Sequence, residues 1–246
     1  MVCGETALAF LNRNRLLYLD MLEPIRRGTA ELLYTGADGV LLYDRLAEAH
    51  MLGADTPQAL ERMLPLMEGC TILTGHQLWY KDRLAARFGL TCEQICYQAA
   101  WLEETPPAPL PFGGELRLLD RSWAPWVYAH YSHAFGGVEY MEGAMDRGML
   151  GAFVDGTPAG FAGFHIEGAI GMLEVLPPYR RLGIGEALLR GVVSLALSRG
   201  QYAYGQVFTT TPPPWPSSAK RAWRFLRKSC SGCSRGEPLT FPHCPV

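Results

Sequence analysis

The residues most able to do chemistry in this 246-residue chain lie in Leu173-Glu-Val-Leu-Pro-Pro-Tyr-Arg-Arg-Leu-Gly-Ile-Gly-Glu-Ala-Leu-Leu189. An apolar strand pattern runs into Pro177-Pro178, which stops sheet pairing. A basic, glycine-spaced turn, Arg180-Arg-Leu-Gly183-Ile-Gly185, then opens into a helix pattern with Ile184, Leu188, Val192 and Leu195 on one face. The first N–H groups of a helix have no intrahelical partners, and with the helix dipole they suit a phosphate. Gly183 and Gly185 carry no side chain to hold a pyrophosphate off the backbone, and Arg180 and Arg181 add positive charge. A plain strand–turn–helix accounts for the same residues. Two other phosphate motifs are excluded: G-x-x-x-x-G-K-[ST] is absent, and Gly183-Ile-Gly185 lacks the third glycine of a dinucleotide fingerprint.

The elements that must position this turn follow from apolar periodicity and turn residues. Residues 6–18 repeat at helical spacing. Glu31–Tyr34 and Val40–Tyr43 read as strands joined by Gly36-Ala-Asp-Gly39, and Ala47–Leu52 as a third. Asp55-Thr-Pro57 starts a helix, Thr71–Thr74 is a strand, Leu78–Phe88 is a helix closed by Gly89, and Glu93–Leu102 is a strand. Glu104-Thr-Pro-Pro-Ala-Pro-Leu-Pro-Phe-Gly-Gly114 can be neither helix nor central strand, and marks the domain boundary. A second cycle follows: strand 115–119, helices 123–132 and 138–147, strands 149–154, 159–165 and 170–175, helix 182–198 and strand 202–208. The order predicts an α+β fold, with helices on both faces of a mixed, mostly antiparallel sheet.

Composition narrows the class. No apolar run approaches the roughly 20 residues that cross a bilayer, and the amphipathic start lacks the order of a secretory signal. The expectation is a soluble, cytoplasmic protein with no membrane partner. Seven cysteines form no disulfide framework, and Cys92 and Cys96 read as buried thiols, with no metal site. The net charge of −2 hides a break near Thr211. From Pro212 to Val246 six basic residues face one acid, Glu237, so a body of −7 carries a segment of +5. An acidic body argues against nucleic acid as a partner.

Arg180-Arg-Leu-Gly183-Ile-Gly185 resembles the [QR]-x-x-G-x-[GA] signature of the GNAT superfamily of acyl-CoA-dependent N-acyltransferases, and Leu173–Tyr179 is similar to that family's fourth strand and its exit. The likeness covers residues 115–208. It implies acetyl-CoA as co-substrate, with the pyrophosphate held at Arg180 and Arg181 and by the backbone of Arg181, Leu182, Gly183, Ile184, Gly185, Glu186 and Ala187. It implies that the fourth strand splays from the fifth and that the backbone of Leu173, Glu174 and Val175 pairs with the pantetheine. Residues 30–102 look like an incomplete copy without the loop signature. The expected domains are an incomplete GNAT-like domain at 1–104, a linker at 105–114, an acyl-CoA-binding GNAT domain at 115–211 and an atypical basic tail at 212–246.

The implied reaction is transfer of an acyl group, acetyl first, to the amine of a small molecule. A backbone N–H at the splay, taken as Val175, polarises the thioester. Glu174 is the nearest carboxylate in sequence and is a candidate base acting through water; a solvent-facing or arginine-paired strand residue is the other reading. His165 is the alternative base, or a satisfied strand residue. His130, His133, Tyr128 and Tyr131 are candidates to line the acceptor pocket.

The tail departs from the family. Thr209-Thr-Thr-Pro-Pro-Pro-Trp-Pro replaces the expected helix start, and no general-acid tyrosine is identifiable. Loss of one nucleotide after the Thr209 codon accounts for this, since permitted codons read one frame away spell a helix and a strand; a divergent tail is the alternative. Cys230-Ser-Gly-Cys233 with His243-Cys244 reads as an accidental match to a zinc knuckle. Two rival functions remain: an inactive acyl-CoA sensor, and an interaction protein using the tail. The acceptor, the acyl length and the oligomeric state are left open.

Overall fold

A computed structural model describes residues 2–90, 94–134, 136–208 and 224–234. By contact the chain divides into two compact units: Met1–Ala99 with parts of two later strands, and Ala100–Gly205.

The first unit opens with α1 (Val2–Asn12) and α2 (Leu19–Arg27). The sequence predicts one helix over 6–18, and the structure breaks it. Asn12 turns its side-chain amide back onto the Leu8 carbonyl (2.8 Å), and Asn14 and Arg15 carbonyls accept from Leu17 and Tyr18 in tight turns. Short polar side chains compete with the helical ladder in this way. α2 escaped the sequence reading because it contains Pro24.

β1 (Ala30–Gly36) and β2 (Gly39–Asp44) form the expected hairpin, and β3 (Ala49–Ala54) pairs antiparallel with β2. α3 (Pro57–Met63) is capped by the Thr56 hydroxyl, which accepts from the Ala59 N–H at 3.1 Å. β4 (Ile72–Gly75) then lies parallel to β3 through three residue pairs. α4 (Lys81–Phe88) ends at Gly89 in the left-handed region, and β5 (Gln94–Ala100) follows. Leu41, Leu52, Leu60, Met63, Tyr80 and Leu84 fill this unit's core.

In the second unit, β6 (Glu115–Leu118) leads to α5 (Ala124–His130) and α6 (Gly137–Arg147). β7 (Met149–Val154), β8 (Thr157–Phe164) and β9 (Ile170–Val175) follow, then α7 (Ile184–Ser198) and β10 (Tyr204–Phe208). Asp155 and Gly156, both at positive φ, make the two-residue turn between β7 and β8. The sheet runs β6-β7-β8-β9, antiparallel throughout. Val127, Met141, Met145, Phe153, Phe161 and Met172 pack α5 and α6 on one face. α7 lies against β7, β8 and β9, with Gly191 meeting Leu116 and Leu150.

β10 joins not β9 but a seven-stranded sheet, ordered β1-β2-β3-β4-β11-β5-β10, where β11 is Arg224–Ser234. The tail therefore contributes a strand, antiparallel to β4. Residues 209–223 and 235–246, and with them most of the frame-change reading, lie outside the described residues, as do the side chains of Cys230 and Cys233. Among the described residues no helix is long and apolar enough to cross a membrane, and no three His, Cys, Asp or Glu gather as metal ligands.

Both units contain a run of two antiparallel strands followed by a helix. In the first, β2-β3-α3-β4 closes with β3 and β4 hydrogen-bonded in parallel. In the second, β9, which α7 follows, lies at an edge of its sheet, with β8 as its hydrogen-bonded neighbour among the described residues.

Candidate active site

The site is built where β9 runs out into α7. Along β9 burial alternates, with Ile170, Met172 and Glu174 buried and Leu173 and Val175 half-buried. Met172 has φ 54°, and the β8 register shifts there, from Gly163↔Gly171 to Phe161↔Glu174. This is a β-bulge, with a non-glycine residue held in the left-handed region. Beyond it the Leu176 N–H donates to the Ala159 carbonyl (2.9 Å). By the antiparallel alternation, the backbone of Glu174 then faces β8 and that of Val175 faces the free edge. Of the expected pantetheine-pairing residues, Leu173 and Val175 present backbone to the edge. Glu174 presents its side chain instead.

Pro177–Tyr179 forms a tight turn, after which the backbone changes hand repeatedly. Arg180 is extended, Arg181 has φ 64° and Gly183 has φ 80° as the N-cap of α7. The left-handed conformation costs a non-glycine residue about 1–2 kcal/mol, so Gly183 suits its place and Arg181 is strained. The first bond of α7 runs from the Ala187 N–H to the Gly183 carbonyl (3.0 Å). The amides of Arg181 to Glu186 precede it, outside the helical ladder. Arg181, Leu182 and Gly183 are exposed, whereas Ile184 and Glu186 are buried. Ala187, by contrast, commits its amide to the helix.

Arg180 does not extend along this cradle. Its Nε donates to the Val175 carbonyl (3.0 Å), and its Nη2 lies 3.5 Å from Glu174 Oε1. Glu186, on the first turn of α7, is buried and accepts from Arg190 Nε (3.1 Å) and Nη2 (2.6 Å). Arg190 Nη1 also donates to the Ala108 carbonyl (3.0 Å), and Leu110 lies near Gly183. The segment 105–114, read as a linker, meets α7 at Arg190 and falls within the second unit, a strap held by that bond.

The two candidate bases separate. Glu174 is 9% exposed, and its Oε2 accepts from the Ser132 hydroxyl (2.6 Å) and the Ser132 N–H (3.2 Å). His165 sits beyond the end of β8, four residues from Phe161, the strand partner of Glu174. Four strand residues span about 13 Å of backbone, which sets the two side chains at different heights along the hairpin. His165 Nδ1 lies 3.4 Å from the Tyr140 hydroxyl, and its ring covers Gly171. Burial first, and Arg147 beside it, push the His165 pKa down against the opposing pull of Glu167. Burial likewise pushes Tyr140 up to about 12. Of the aromatic candidates, Tyr131 packs edge-on against Phe161 (6.0 Å) and His133 (5.8 Å). His130 stacks on Trp126 and donates from Nδ1 to its carbonyl (2.7 Å), and Tyr128 is exposed.

Sequence reasoning missed Ser132 and Arg190. Ser132 carried no spacing signal, because it meets Glu174 across 42 positions. Arg190 carried one: it stands four residues after Glu186, the spacing of a helical ion pair.

A row of amides outside the helical ladder thus opens α7, beside the outer edge of the bulged strand β9. Residues 115–214 match the acetyltransferase (GNAT) family, and the chain carries a GNAT domain there. No curated protein matches the sequence. Among solved structures, a Drosophila protein is similar over 94% of this chain and 95% of its own, with TM-score 0.62 and 16% identity. A GCN5-related N-acetyltransferase from Kribbella flavida matches over 91% and 95%, with TM-score 0.54 and 12% identity. A GNAT-family protein from Novosphingobium aromaticivorans matches over 90% and 97%, with TM-score 0.51 and 16% identity. At such identities the likeness establishes the fold, and it extends over both units.

Proposed function

We propose that this chain is an N-acyltransferase that moves an acyl group, acetyl first, from acyl-CoA to the amine of a small molecule. The observation that carries the reading is the juxtaposition of Glu174 with the free edge of β9 and the amide cradle that opens α7. Acyl-CoA supplies an activated thioester carbonyl. The amides of Arg181 to Glu186 and the dipole of α7 hold its pyrophosphate. Arg190 neutralises Glu186, which would otherwise set a carboxylate against that anion. The edge backbone of Leu173 and Val175 pairs with the pantetheine, and the Val175 N–H polarises the thioester oxygen. Glu174 Oε1 receives, through water, the proton that the ammonium must lose before attack. The amine nitrogen then bonds the acyl carbon, the C–S bond breaks with its electron pair on sulfur, and the amide loses its second proton as the thiol forms.

Thermal shift with acetyl-CoA and longer acyl-CoAs tests the binding half, because a ligand of the native state raises the midpoint. Labelled acetyl-CoA against a panel of amines tests the chemistry. Binding with turnover supports the reading, binding without turnover makes the chain a sensor, and no midpoint shift overturns it. Glu174→Gln should lower turnover by about 100-fold or more while leaving the acyl-CoA shift intact and a measurable residual rate, and His165→Gln should retain turnover; the reverse pattern would move the base to His165.

A further inference from the structure

We propose that Ser132 is a positioning residue that aims the Glu174 carboxylate at the acceptor amine. The inference rests on the N-acyltransferase reading and adds to it a residue on the loop between α5 and α6. Glu174 is the only buried carboxylate on β9, and its side chain reaches the α5–α6 face of the sheet. There Ser132 gives one carboxylate oxygen both of its donors: the hydroxyl at 2.6 Å and the backbone N–H at 3.2 Å on Oε2.

The Ser132 amide is available because α5 has already ended. The Tyr131 N–H makes the last bond to the Val127 carbonyl (2.9 Å), and Tyr131 turns extended. The Ala134 N–H then closes a turn onto the Tyr131 carbonyl (3.1 Å), which leaves Ser132 at the exposed crest of that turn. Two donors on one oxygen fix both the position and the plane of a carboxylate that would otherwise rotate about its last bond. They also assign the oxygens. Oε2 carries both Ser132 donors, and Oε1, which accepts the single long bond from Arg180 Nη2 (3.5 Å), is the oxygen assigned to take the proton. Phe161 on β8 and Tyr131 on the loop face the same region with aromatic surface. Removing the hydroxyl leaves the weaker N–H bond to hold the carboxylate, and misplacement of a catalytic group by about 1 Å costs up to roughly 100-fold in rate.

The test is steady-state kinetics with acetyl-CoA and whichever amine turns over, on four full-length variants. Ser132→Ala should lower kcat about 10- to 100-fold with the KM for acetyl-CoA unchanged. Ser132→Thr, which keeps the hydroxyl, should restore most of it. Ser132→Ala added to Glu174→Gln should cost nothing further, because Ser132 acts only through that carboxylate. A further loss in the double variant, no rescue by Thr, or wild-type kcat in Ser132→Ala overturns the proposal. Wild-type kcat in Glu174→Gln overturns instead the assignment of the base on which it rests. The acetyl-CoA thermal shift of each variant reports that the fold is kept.

Discussion

Replacing Arg190 by alanine should destabilise the second unit by about 2–3 kcal/mol and free the strap. Arg190 makes two bonds to Glu186 Oε1 (3.1 and 2.6 Å) and one to the Ala108 carbonyl (3.0 Å). The Glu186 side chain is 7% exposed, so the variant leaves a nearly dehydrated carboxylate without its cation. Breaking a fully buried pair from one side costs about 3–5 kcal/mol. Two features reduce that here. The arginine side is 30% exposed, and Glu186 lies on the first turn of α7, where the helix dipole returns up to about 1 kcal/mol. At roughly 4 °C or more per kcal/mol for a domain near 100 residues, the midpoint should fall by about 10 °C. The assay is thermal unfolding by circular dichroism. Digestion with a broad-specificity protease adds a second readout, since the strap 105–114 loses its tie and should be cut sooner. Arg190→Ala combined with Glu186→Gln should recover most of the loss, because the orphaned charge rather than the missing bonds carries the cost. A single variant that melts within about 2 °C of the parent, or a double variant that is merely additive, refutes the reasoning.

Gly183→Val should lose about 1–2 kcal/mol from its φ of 80° and weaken acyl-CoA binding, measured by thermal shift. Gly185→Ala should keep stability, because an added Cβ would meet Val175 at an ordinary 3.5 Å. In the first unit, buried His76 places Nδ1 on the Leu52 carbonyl (2.8 Å) and Nε2 on Asp20 (2.8 Å). Burial opposes its charge, but Asp20 and the Leu52 carbonyl outweigh burial and raise its pKa above the ordinary 6.5. A raised folded pKa gives stability that is complete below 6.5 and is lost as pH climbs through the raised value. Urea midpoints of the parent should therefore fall on the alkaline side of that value relative to His76→Asn, and parallel pH profiles for the two proteins would exclude the linkage.

Much of the fold was legible because short-range rules fix it. The Gly36–Gly39 hairpin, the helix start at Asp55-Thr-Pro57 and the Gly89 stop each follow from a residue type at a required backbone shape, with Thr56 rather than Asp55 supplying the cap. Where sequence reading failed, competing local chemistry or distant pairing won. Tight turns over 13–18 broke a helix that periodicity alone extends, and Pro24 hid a second one. The basic tail gave no strand signal, yet Arg224–Ser234 pairs with β4.

The sequence by itself determined the glycine-spaced turn that opens α7. Proline, glycine and arginine at fixed spacing dictate a strand exit, a left-handed N-cap and a row of free amides, all within a few residues of one another. Only the tertiary structure decided what surrounds it. Among the described residues it set β9 at an edge of its sheet while β3 is paired on both sides, and it parted Glu174 from His165 along a hairpin. It also brought Ser132 across 42 positions onto the carboxylate and tied the proline strap to α7 through Arg190. The physical reason is that backbone preferences act over a handful of residues, whereas the direction and partners of a side chain are set by whatever the packed sheet and helices bring against it.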